Sequence, residues 1–123
     1  MITEDYVSFE IAKLLKEKGF DEKLQHYYDT DGILVRCRRG VYFSNKSNAF
    51  IAPTIQMAMK WLREIHKIFI DISPTYDEVE KTIHFIWQIF DSNYDVVGDC
   101  EIFYGKYETA CEAALKYSLE NLI

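Results

Sequence analysis

The densest concentration of chemistry in the chain is Arg36-Cys37-Arg38-Arg39, with Tyr27, Tyr28, Tyr42, Phe43 and Lys46 interleaved around it. Guanidinium groups neutralise phosphates and aromatic rings stack on bases. Arg36, Arg38, Arg39, Tyr42 and Lys46 are therefore candidates for contact with single-stranded nucleic acid. The stronger reading is a hairpin rim whose arginines pair with surplus acids. The chain carries 20 acidic against 14 basic residues, a net charge of −6, whereas dedicated nucleic-acid binders are basic.

Other constellations fail on spacing. Asp29-x-Asp31-Gly32 imitates the middle of an EF-hand loop. That register puts Tyr27 and Arg38 where carboxylates must coordinate calcium, so a hairpin turn is expected instead. Glu64 and His66 lie two residues apart on an expected helix, where side chains diverge and cannot act as a pair. His26 and His84 fall on expected strands with no cysteine or second histidine at ligand spacing. Structural roles are expected for all three histidines, and no metal or other cofactor is expected. Cys37, Cys100 and Cys111 show neither CxxC spacing nor a neighbouring histidine pair, which reads as buried free thiols. No GxSxG elbow or glycine-rich phosphate loop occurs. No catalytic residue is assigned, and an enzyme assembled from distant residues ranks third among the functional readings.

Three amphipathic helices are expected to frame these residues. Ser8–Lys18 opens on a good N-cap and stops at Gly19, with Ile11, Ala12, Leu14 and Leu15 on one side. Thr54–His66 starts at Pro53-Thr54, with either residue as the start signal. Its core stripe is Ile55, Ala58, Met59, Leu62 and Ile65. Met57 and Trp61 widen the apolar arc to roughly 200°, about twice what a surface helix needs. Those two residues are candidates for a subunit or partner contact, because tryptophan and methionine are enriched in such patches. Lys106–Leu122 is the third helix, with Ala110 and Ala114 small enough for close docking and Glu108 placed for a capping box.

Between the helices, Gln25–Tyr28 and Ile33–Cys37 flank a turn at Asp29-Thr30-Asp31-Gly32. Arg38–Ala52 reads as loop, with a candidate short strand at Val41–Phe43. Alternation marks strands over residues 68–73 and 83–90, separated by Pro74, and a last strand is expected around Cys100–Tyr104. The order α-β-β-α-β-β-β-α with short strand connections implies an α+β domain spanning residues 1–123. An antiparallel sheet with three helices packed mainly on one face is expected.

Three stretches carry a family resemblance. They are Thr3–Glu10 running into Lys13–Phe20, Ala52–Glu64, and Glu112–Ile123. Together they resemble a family of short, uncharacterised proteins from prophage and mobile-element regions of gut anaerobic bacteria. The resemblance implies a genetic context and no activity. The acidic start Met1–Asp5 lacks an apolar signal core, and no apolar run approaches the ~18 residues of a membrane span. A cytoplasmic protein without membrane contact is expected. The leading functional expectation is a non-enzymatic accessory protein that works through protein–protein contact, with itself as a homodimer or with another protein. A nucleic-acid-associated protein using the basic aromatic hairpin of residues 36–46 is the alternative.

Overall fold

Ser8 caps the first helix as its chemistry requires. In the computed structural model, which describes residues 2–41 and 48–123 and gives only backbone for 38–41, Ser8 Oγ accepts from the Ile11 amide at 3.3 Å. Helix α1 runs Phe9–Glu17. Its end is a Schellman closure: the Phe20 amide donates to the Leu15 carbonyl and the Gly19 amide to that of Lys16. Gly19 takes φ +94°, and Phe20 is buried behind it.

Residues 1–58 form one compact unit and residues 59–123 another. In the first, strands β1 (Leu24–Tyr28), β2 (Leu34–Val41) and β3 (Phe50–Ile51) make an antiparallel sheet in the order β2-β1-β3. The expected hairpin turn forms. Asp29 Oδ1 accepts from the Asp31 and Ile33 amides, and Gly32 takes φ +79°. That carboxylate is occupied in shaping the turn, as the failed calcium register implied. A side chain at Gly32 would also meet the Phe9 ring, 2.9 Å from an added Cβ. Helix α1 packs on β3, with the Phe9 ring 5.4 Å from both Tyr28 and Phe50. The segment before α1 pairs with the one after β3: the Val7 amide donates to the Pro53 carbonyl and the Ile55 amide to that of Asp5. Val7, Ile11, Leu15, Phe20, Ile51 and Ile55 are buried.

The stretch expected to be loop therefore contains more structure. Strand β2 continues to Val41, and two residues at Phe50–Ile51 pair with Tyr27 and Tyr28. Tyr42 and Phe43, the rest of the candidate short strand, lie outside the described residues. A strand of two residues has too few positions to reveal an alternation, and only its partner defines it.

Helix α2 spans Ile55–His66. Thr54, not Pro53, supplies its start signal, because Thr54 Oγ1 accepts from the Met57 amide at 3.2 Å. Lys67 at φ +56° ends the helix, and the Ile68 amide closes back on the Leu62 carbonyl.

In the second unit, β4 (Phe69–Asp77), β5 (Thr82–Phe90) and β6 (Val96–Asp99) form an antiparallel sheet in sequence order. Pro74 does not end a strand; it lies inside β4, opposite Phe85. β4 is at the edge of its sheet, where a missing N–H is tolerated. The last strand falls at Val96–Asp99, earlier than expected. From the Cys100–Tyr104 stretch, the Cys100 amide donates to the Trp87 carbonyl at 3.2 Å and Tyr104 forms an isolated bridge to Phe85, with hydrogen bonds of 2.7 and 2.9 Å. The α+β class and the antiparallel pairing hold. The expected element order is met with the short β3 added, and the strands divide between two sheets.

Helix α3 (Tyr107–Asn121) packs on β5 and β4 through Ala110, Cys111, Ala114, Leu115, Ser118 and Leu119, all buried. Ser118 keeps its hydroxyl satisfied by donating to the Ala114 carbonyl at 2.8 Å. The expected capping box is absent: Lys106 is the N-cap residue and makes no side-chain cap bond, which puts Glu108 one position too early. Close docking depends on Gly98 in β6. A Cβ there would lie 2.7 Å from the Tyr117 ring and 3.2 Å from Ile89 Cδ1. Gly98→Ala is expected to cost about 1–3 kcal/mol by overpacking, read from the shift in denaturation midpoint.

Candidate functional site

The apolar stripe of α2 is arranged differently from the sequence expectation. Ala58, Met59 and Leu62 are buried with Ile55, but Ile65 is 61% exposed and not part of the core. Met57 is 40% exposed. Trp61 is half-buried, its ring edge-on to His66 with centroids 4.7 Å apart. Residues 57, 61 and 65 follow at steps of four, so they form one row along the helix surface. The buried row is thus 55, 58, 59 and 62, while Ile65, expected in the core stripe, instead extends the Met57–Trp61 edge. A helical wheel cannot separate these rows, because both are apolar and only the packing neighbours distinguish them.

Met57 also lines an open cleft of about 270 Å³ in the first unit, with Tyr6, Leu24, His26, Pro53 and Thr54. Tyr6 stacks on His26 at 4.2 Å. That contact gives His26 a packing role.

The basic hairpin is placed only in part. Arg36 is exposed on β2, opposite His26. Arg38 and Arg39 belong to the backbone of the same strand, next to a register irregularity against β1. Their side chains, and all of Tyr42 and Lys46, lie outside the described residues. Tyr28, one of the aromatics set around the arginines, is committed elsewhere: its hydroxyl donates to the Val7 carbonyl at 2.6 Å.

The cysteines are free thiols. Burial pushes Cys111 up to about 11, so it stays protonated at neutral pH and is a poor nucleophile. Cys100 Sγ accepts from the Trp87 amide at 3.4 Å.

One convergence escaped the sequence reading. The β4–β5 hairpin brings Asp77, Glu80 and His84 together, with donor atoms within 4.8 Å of one another among the described residues. His84 Nδ1 lies 3.4 Å from Asp77 Oδ2, and Nε2 lies 3.2 Å from Glu80 Oε2. The turn positions them. Asp77 Oδ1 accepts from the Val79 and Glu80 amides, and Lys81 at φ +56° reverses the chain. The usable signal was the pattern D-x-x-E-x-x-x-H across a tight turn. A strand that ends at Pro74 leaves Asp77 without a fixed partner, which hides the pattern in the sequence.

No protein-family model, curated protein or solved structure matches the chain. Among the described residues no helix is long and apolar enough to cross a membrane.

Proposed function

We propose that the protein acts through protein–protein contact and that its first partner is a second copy of itself, joined along α2. The supporting observation is the exposed apolar row Met57–Trp61–Ile65. Water-facing methionine and isoleucine on either side of a half-buried tryptophan are the composition of a contact patch. The second copy is favoured by charge. Lys60 and Glu64, both exposed, flank the row one turn apart with opposite signs. A two-fold axis that reverses the helix places Lys60 of one chain beside Glu64 of the other, and Met57 beside Ile65, satisfying both copies at once. The family resemblance adds a role as an accessory component of a mobile element in the cytoplasm.

Three side chains fall short of the ~800 Å² per partner buried in a stable dimer. The association is therefore expected to be weak and concentration-dependent. Sedimentation velocity across a concentration series tests it. Trp61→Ala should leave a folded protein shifted to monomer, with a melting temperature that no longer depends on concentration. Lys60→Glu should weaken the dimer, and Lys60→Glu with Glu64→Lys should restore it. A wild-type protein that stays monomeric at high concentration would overturn the reading.

A further inference from the structure

We propose that the β4–β5 hairpin is a divalent-cation site in which His84 Nδ1 and Asp77 Oδ2 are the ligands and Glu80 is the positioning residue. Three observations combine. First, His84 Nδ1 is shielded from solvent and has no hydrogen-bond partner, although its side chain retains 17% exposure. Second, Glu80 Oε2 stands 3.2 Å from Nε2. In the neutral imidazole with its proton on Nε2, on the side of that carboxylate, the Nδ1 lone pair is free, which is the carboxylate–histidine–metal arrangement. Third, that lone pair faces Asp77 Oδ2 at 3.4 Å. Two acceptors confront each other, and a cation between them turns repulsion into ligation.

The spacing agrees with this chemistry. A tetrahedral ion with bonds of ~2.1 Å holds its ligand atoms ~3.4 Å apart. The two carboxylates and one neutral imidazole carry a net charge that a divalent ion cancels. Nitrogen with carboxylate oxygen suits zinc and its first-row neighbours better than magnesium or calcium, which prefer oxygen alone. Asp77 is pre-oriented, because its other oxygen is already held by the Val79 and Glu80 amides. Water fills the remaining positions. The site is independent of the α2 contact and does not rest on it.

Isothermal titration of the metal-free full chain with zinc chloride tests the proposal, with magnesium chloride as comparison. One zinc per chain should bind, and magnesium should not compete. Asp77→Asn keeps the turn acceptor while removing the charge, and His84→Gln removes the ligand nitrogen. Each should abolish binding. Glu80→Gln should weaken binding about 10-fold while leaving the metal-free melting temperature unchanged, because its side chain is 64% exposed. His26→Gln should bind zinc as the unaltered chain does. Metal-free melting of every variant establishes that each is folded. Absence of zinc binding, or binding that survives both Asp77→Asn and His84→Gln, would overturn the site. A hairpin that instead holds a proton between its carboxylates would bind no zinc at neutral pH.

Discussion

Ala114→Glu is expected to leave the chain without a stable fold. Ala114 is completely buried at the centre of α3, the helix that lies on β5 and β4. A carboxylate there must either stay ionised without water or take up a proton, and the larger side chain must also displace its neighbours. Burying the charged group without a partner costs several kcal/mol. That is a large share of the ~5–15 kcal/mol that stabilises a typical domain. Glu120→Gln, on the exposed side of the same helix, should cost less than ~0.5 kcal/mol. Far-ultraviolet circular dichroism with denaturant titration separates the two. Equal losses would mean that α3 is rotated from the orientation described.

Trp87→Ala should destabilise the second unit by about 3–5 kcal/mol, the range for truncating a large buried aromatic. Trp87 is 5% exposed on β5. Its ring sits 5.4 Å from that of Tyr117 on α3, and its indole N–H donates to the Tyr104 hydroxyl at 3.5 Å. One side chain thus ties β5 both to the helix and to the segment after β6. Trp87→Phe keeps the ring contact and loses only the indole bond, so its penalty should be clearly smaller. Thermal melts read both variants. They also separate the two tryptophans, because a Trp87 truncation should destabilise at every protein concentration. The Trp61 truncation should act through association. Trp87→Ala melting as the wild type does would show that β5 is not the centre of this core.

The proposed roles of Trp61 and of the His84 hairpin differ in how far they could be read in advance. Met57 and Trp61 stood out on a helical wheel because periodicity alone places them at the edge of an apolar arc. That Ile65 joins them, instead of entering the core, depended on which neighbours cover α2. Asp77, Glu80 and His84 carry a readable spacing, but they meet only across a turn that the β4–β5 pairing places. Pro74 read as a break because its missing amide is costly inside a sheet. It proved harmless on an edge strand, and edge position is a property of the sheet.

Local chemistry determined the parts of this protein that close within a few residues. The Ser8 cap, the Gly19 closure, the Asp29–Gly32 turn and the inward face of α3 each depend on hydrogen bonds or periodicity over one or two turns of chain. Tertiary structure alone decided the remainder. It paired Phe50–Ile51 with β1, divided the strands between two sheets, demanded glycine at position 98 beneath Tyr117 and left Ile65 in water. The physical reason is range. A cap or turn is satisfied by groups its own sequence supplies, whereas a strand's edge, a glycine's clearance and a side chain's burial are set by residues far away in the chain.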